Sequence, residues 1–276
     1  MKRMKVPEKA YKNLDFLNST HAREIRMLAE FTEPKSRFNK FNILDTVVFF
    51  GSARIKSRKD ALKNLKELKK KENLKSNVYL KKLKDAEKQV EMSRYYEDAA
   101  ELAKRLSLWS MQLPKIEGKR FIVCSGGGPG IMEAANKGAI QAKGHSIGLN
   151  ISLPFEQTVN DFVEPELAFE FHYFFMRKFW LVYMAKALIA FPGGFGTLDE
   201  LMEVLTLIQT KKIKKEMKVI VYGKEFWTRI INFELLIEDG VISREDLKLF
   251  DFCDTVDEAF EKITGHFKKY YLKNGK

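Results

Sequence analysis

The stretch Lys186 to Thr210, KALIAFPGGFGTLDELMEVLTLIQT, constrains the fold more than any other part of the chain. It reads as a buried strand (Ala187–Phe191), a glycine loop (Pro192-Gly193-Gly194-Phe195-Gly196) and an amphipathic helix opening at Thr197. A strand that runs through glycines into a helix N-terminus is suited to holding an anion. The glycines let backbone N–H groups approach the ligand, and the first helical turn adds unpaired donors and a partial positive charge. Thr197 and Glu200 fit the T-x-x-E capping box, in which Glu200 returns to the cap backbone. The alternative is that Glu200, in the first turn of a helix aimed at a phosphate, reaches the ribose or base of the same ligand.

Two other glycine-bearing loops follow apolar strands. Gly51-Ser52-Ala53-Arg54 ends the strand Asn42–Phe50, and Ser125-Gly126-Gly127-Gly128 ends Phe121–Cys124. Strand C-terminal ends in an open parallel sheet share one edge, where ligands bind. Three such loops imply a nucleotide or sugar-phosphate pocket. Its candidate contacts are Ser52, Arg54, Gly127, Gly128, Gly193, Gly194, Gly196 and Thr197. None of the loops has the Gly-Lys-Ser/Thr of a Walker A motif, and residues 126–131 lack the third glycine of G-x-G-x-x-G. Dinucleotide redox chemistry therefore has little support.

Glu133, just after the triple glycine, is either an ordinary first-turn carboxylate or a second ligand contact. Met176, Arg177 and Lys178 follow FHYFF and open a helix. Cations at a helix start oppose the macrodipole. Either they snorkel from an apolar helix to water, or Arg177 faces the nucleotide. His172, alone among aromatics, reads as structural. Phe155, Met176 and Phe195 are candidates for the base-selecting wall.

The rest alternates strands with helices. His145–Leu149 and Lys218–Tyr222 are strands, Glu170–Phe175 is extended, and helices are expected over Met176–Lys186, near Phe226–Ile237 and near Val256–Phe267. The pattern predicts an α/β fold, a doubly wound, mostly parallel sheet with helices on both faces. Residues 1–40 read as an N-terminal helical extension whose helix, HAREIRMLAEF, stops at Pro34. Residues 41–276 read as one catalytic domain. Residues 56–90 read as an inserted helical hairpin broken at Asn73–Asn77, with helix resuming over Ser93–Leu108.

The net charge of +12 raises the question of nucleic acid. Residues 54–88 hold fourteen Lys and Arg against five acids, so most of the excess sits on one segment poor in aromatics. That is the pattern of a solvated helical face, and nucleic acid is not an expected partner. Two cysteines, without disulfide or metal-ligand spacing, fit a reducing compartment. The longest apolar run, 174–189, is interrupted by Arg177, Lys178 and Lys186, so a soluble, cytoplasmic protein is expected.

SGGGPGIMEAANKGA (125–139), Met176-Arg177-Lys178 and PGGFGTLDE (192–200) together resemble the LOG ("lonely guy") family, many of whose members were once labelled lysine decarboxylases. The similarity covers roughly 42–55 and 93–265, including FW at 226–227 and GVISREDL at 240–247. The resemblance implies a Rossmann-like domain, a homodimer or higher homo-oligomer, and hydrolysis of the N-glycosidic bond of nucleoside 5′-monophosphates such as AMP. It assigns the 5′-phosphate to Gly193, Gly194, Gly196 and Thr197, and the catalytic pair to Arg177 and Glu200, with no metal or other cofactor. The decarboxylase label fits poorly, because there is no pyridoxal-phosphate lysine motif. The extension and the Lys-rich insertion depart from the compact family pattern. The alternative function is a non-catalytic Rossmann-like binding protein such as a molybdenum cofactor carrier, which also needs a glycine-lined anion site.

Overall fold

Runs of Val, Ile, Phe and Ala, apolar at every position, build strands that are buried on both faces, as a parallel sheet covered by helices requires. The computed structural model describes residues 7–70, 76–114, 118–153 and 158–272. Phe155 and most of the break expected at Asn73–Asn77 lie outside them.

Two helices open the chain, α1 (Leu14–Asn18) and α2 (Arg23–Lys40), before the first strand, β1 (Thr46–Phe50). Then come α3 (Arg58–Lys69), α4 (Asn77–Met111), β2 (Ile122–Ser125), α5 (Ile131–Gln141) and β3 (Ser146–Ile151). β4 (Ala168–Phe171), α6 (Phe174–Tyr183), β5 (Ala185–Ala190) and α7 (Phe195–Gln209) follow. The last elements are β6 (Lys218–Tyr222), α8 (Lys224–Ile230), α9 (Phe233–Glu238), β7 (Asp251–Cys253) and α10 (Val256–Tyr270).

The seven strands form one all-parallel sheet in the order β4-β3-β2-β1-β5-β6-β7, so the Rossmann-like α/β expectation holds. β1 is central, with Val48 registered against Cys124 on one side and Leu188 on the other. Alternate residues feed opposite layers. Val47 and Phe49 pack with residues of α4, α5 and α10, while Val48 and Phe50 pack with Phe38, Trp180 and Leu201. The chain order reverses between β1 and β5, which is where an open α/β sheet leaves a crevice at its C-terminal edge. The two loops leaving that point are tied together: Phe191 N–H donates to the Phe50 carbonyl at 2.8 Å, and Ser52 N–H to that of Pro192 at 3.0 Å.

Four local expectations are corrected. Pro34 does not stop its helix, because α2 continues to Lys40. A proline inside a helix strands the carbonyl four residues back; here that is Glu30, and the Trp180 indole donates to it at 3.1 Å. The second arm of the Lys-rich hairpin is not separate from the following helix. α4 is one element of 35 residues, roughly 50 Å long. Its buried positions Ala86, Ser93, Tyr96, Ala100, Ala103 and Ser107 keep helical spacing straight through 90–93. The helix expected over 226–237 splits at Ile231-Asn232, where the Asn232 side chain accepts the Leu235 N–H and caps α9. Finally, α6 and α7 each start two residues early, with consequences for the site.

Candidate active site

A cleft of about 640 Å³ lies at the switch point, and all three glycine loops contribute to its wall. The first consequence of the α7 boundary concerns Glu200. The N-cap is Gly194, which makes no side-chain cap bond, and Thr197 is the third helical residue. The T-x-x-E capping box is therefore not formed, and Glu200 is free of any duty to the cap backbone. Thr197 and Glu200, three residues apart on one helix face, are 6% and 5% exposed and both line the cleft. Among the described residues, Glu200 Oε2 is buried without a hydrogen-bond partner. Burial pushes the Glu200 carboxyl up to about 7, with Arg177 and then Lys178 pulling it back.

Arg177 sits in the first turn of α6, as its fourth residue. Its Nε donates to the Leu149 carbonyl at the end of β3, at 2.7 Å. Its guanidinium lies against Gly126, where a β-carbon would collide with Nη2. Burial lowers its pKa and Glu200 raises it, but a guanidinium keeps its charge at any pH relevant here. The cleft therefore holds a fixed cation facing a carboxyl that titrates near neutrality.

At the other end stand the first N–H groups of α7, which no intrahelical carbonyl can take. Among the described residues nothing occupies the space where a β-carbon at Gly194 or Gly196 would project, so a ligand can come close to this backbone. Ser52 and Arg54 border the same cleft, with Arg54 N–H held by Ser52 Oγ at 3.1 Å. An apolar wall of Phe50, Met132, Ile151, Leu153, Phe174 and Phe195 completes it, Phe195 being 91% exposed at the rim.

Of the residues expected from sequence, the cleft brings together Arg177, Glu200, Gly194, Gly196, Thr197, Ser52 and Arg54. The others stand elsewhere. Glu133 accepts the Tyr96 hydroxyl at 2.5 Å, and Lys178 pairs with Asp199 at 2.9 Å and Glu203 at 2.7 Å. Met176 packs against the hydrophobic layer beneath α6. Gly193 packs under the Thr197 side chain. Gly127, at φ +73°, lies over the Gly148 backbone. Asn160 Nδ2 ties the Gly127 and Gly128 carbonyls at 2.9 and 3.0 Å, so these two glycines shape the loop from behind.

Sequence reasoning missed Gly126, Met132 and Asn150 as lining residues. Asn150 carried a usable signal, since it is a polar residue at the cleft end of the apolar strand SIGLNI. Its amide donates to Glu170 Oε2 at 2.7 Å, and Ser152 donates to Glu170 Oε1 at 2.7 Å. Among the described residues, no group of three His, Cys, Asp or Glu is placed to hold a metal ion, and no helix is long and apolar enough to cross a membrane.

Fold and cleft together define a Rossmann-like α/β protein with a helix N-terminus lacking a side-chain cap and an Arg–Glu pair at the topological switch point. The family model described as "Possible lysine decarboxylase" matches residues 132–263. The chain is 29% identical over 180 residues to the cytokinin riboside 5′-monophosphate phosphoribohydrolase LOG of Oryza sativa subsp. japonica, covering 63% of this chain and 69% of that one. It is 26% identical over 173 residues to the Arabidopsis thaliana enzyme LOG4, covering 62% and 75%. With the probable LOG4 enzyme of Oryza sativa subsp. japonica it shares 26% identity over 151 residues, or 54% of this chain and just under two thirds (64%) of that one. Among solved structures, the molybdenum cofactor binding protein from Rippkaea orientalis aligns with a TM-score of 0.45 at 22% identity, covering 62% and 86%. Over these stretches the chain is similar to the LOG proteins, in line with the resemblance its motifs carry.

Proposed function

We propose that the protein hydrolyses the N-glycosidic bond of nucleoside 5′-monophosphates to free base and ribose 5-phosphate. The observation that carries this reading is the Glu200 carboxyl. It is buried, with no partner at Oε2 among the described residues, it lies on the cleft wall shared with Arg177, and it stands one helical turn from Thr197 at the open N-terminal end of α7. The activity named for the similar plant proteins agrees with it.

In this reading the 5′-phosphate docks on the N–H groups of Phe195, Gly196 and Thr197 with Gly194 alongside, where the α7 dipole favours an anion. Cleavage develops positive charge on the ribose and negative charge on the leaving base. Glu200, as carboxylate, stabilises the oxocarbenium character at C1′ and orients or deprotonates the attacking water. Arg177 holds the substrate and offsets the charge on the base. The base itself lies against the apolar wall of Phe50, Ile151, Leu153 and Phe174. A cytokinin nucleotide and a salvage purine or pyrimidine nucleotide both fit the scheme. The working unit is a homodimer.

Release of ribose 5-phosphate is assayed from AMP, GMP, CMP and UMP. Release from at least one, lost in Arg177→Ala, supports the reading. No release from any of them, with tight binding of a molybdenum cofactor, would replace it with a carrier function.

A further inference from the structure

Helix α6 carries Arg177, yet its N-terminal cap comes from residue 30 of the chain. Tyr173, the N-cap, makes no side-chain cap bond of its own. The Glu30 carboxylate does the work instead, accepting the N–H of His172 at 2.8 Å through one oxygen and that of Tyr173 at 3.2 Å through the other. The Tyr173 carbonyl in turn accepts the Arg177 N–H at 3.2 Å, so the capped residue is the one on which the arginine's backbone rests. A carboxylate here also offsets the unfavourable meeting of Arg177 with the positive end of its own helix.

The same residue grips α6 a second time. The Glu30 carbonyl, freed by Pro34, takes the Trp180 indole N–H at 3.1 Å, one turn beyond Arg177. Phe31 packs on Phe179 and Trp180 at ring-centroid distances of 5.3 and 6.1 Å. Further along α2, Arg37 donates to the Ala168 carbonyl at 2.7 Å and lies 3.8 Å over the Phe169 ring, fixing β4 beside α6. Arg177 thus stands between two anchors, Glu30 on its helix frame and the Leu149 carbonyl on its side chain.

We infer that Glu30 is a positioning residue for Arg177, and that α2 is part of the working site although it contributes no residue to the cleft wall. The inference rests on the function proposed above. A guanidinium must meet developing charge within a fraction of an ångström, and displacing such a group from a distance lowers turnover by an order of magnitude or more. Loss of the Glu30 caps frees the start of α6 to shift, taking Arg177 with it.

The test is a double-mutant cycle on the full chain, with AMP hydrolysis and amide hydrogen exchange over 172–180 read in parallel. Glu30→Ala is expected to lower turnover ~10-fold or more, chiefly in kcat, and Glu30→Gln, which keeps one acceptor oxygen, by less. In an Arg177→Lys background the same Glu30→Ala change is expected to cost almost nothing further. Equal losses in both backgrounds, or unchanged turnover, would overturn the inference. If the parent protein releases no ribose 5-phosphate, the proposed function fails separately. The exchange data then decide: protection over 172–180 lost in Glu30→Ala keeps the tether, and unchanged protection removes it.

Discussion

Glu200 and Arg177 are each pushed toward neutrality by burial and each drawn back toward charge by the other. No hydrogen bond joins them among the described residues, so the attraction acts across the cleft. A close ion pair would have consumed both groups; this arrangement leaves each able to meet a ligand. Arg177→Ala and Glu200→Gln are expected to lower kcat/KM for the best nucleotide by ~10²-fold or more while the fold survives. Steady-state kinetics beside a far-ultraviolet circular dichroism melt checks this. Full activity in either variant would remove the pair from the mechanism.

The position of the Glu200 carboxyl near 7 makes a pH prediction with a definite sign. Below its ordinary value of 4.5 the group is protonated both folded and unfolded, and it costs nothing. As pH rises from there toward 7 the unfolded chain releases the proton while the folded chain keeps it, so folding stability falls, and it levels off above. Glu200→Gln lacks this loss. Its advantage over the parent should open across that window, to roughly 3 kcal/mol at most. Urea unfolding at roughly pH 5 and roughly pH 8 measures it, and a gap that does not widen with pH would contradict the burial argument. If the carboxylate is the working form, kcat/KM rises with pH through about 7. The substrate phosphate titrates near pH 6, so Glu200→Gln supplies the control that isolates the protein's limb.

The loop after β2 carries the next prediction. Gly126 leaves room for the Arg177 guanidinium, and a β-carbon there would strike Nη2 and also approach the Met132 sulfur at 2.8 Å. Gly126→Ala should therefore displace Arg177, lowering turnover nearly as far as Arg177→Ala at a modest cost in stability. Gly194→Ala is the comparison, since its β-carbon meets nothing among the described residues and harms only by crowding a bound phosphate. It is expected to raise KM more than it lowers kcat. If Gly126→Ala keeps full turnover, the loop does not position the arginine.

The sheet was legible in the sequence because its strands are buried on both faces and read as unbroken apolar runs, of which Val47–Phe50 and Ala187–Ala190 are examples. The ligand edge was legible because glycine loops follow three strands that end on one edge, although Gly127, Gly128 and Gly193 serve the shape of the backbone and do not line the cleft. What stayed hidden depended on partners distant in sequence. Nothing local says that Pro34 is tolerated, because its compensation comes from Trp180. Nor does the T-x-x-E spacing reveal that α7 begins at Phe195, which turns Glu200 from a cap into a buried cleft carboxyl. Lys178 and Glu133 were legible only as charged residues near the glycine loops; that Asp199, Glu203 and Tyr96 hold them depends on partners the local sequence does not show. Glu133→Gln is accordingly expected to change turnover less than about threefold, and a loss as large as that of Glu200→Gln would return it to the site.

The Pro34–Glu30–Trp180 arrangement can be tested without any ligand. Trp180 is 2% exposed, and its indole is the donor to a carbonyl that Pro34 cannot serve. Trp180→Phe removes that donor and leaves a half-buried acceptor unpaired, with an expected loss of ~1 kcal/mol beyond the small change in packing. Pro34→Ala restores a helical N–H aimed at the same carbonyl. With the indole present the two donors compete, and with phenylalanine at 180 the new N–H has the acceptor to itself. The cost of Trp180→Phe should therefore be smaller by about 1 kcal/mol in the Pro34→Ala background than in the parent. Chemical denaturation of the four proteins measures the coupling. Strictly additive costs would mean that the indole is held by packing alone and that the Glu30 carbonyl finds its partner elsewhere.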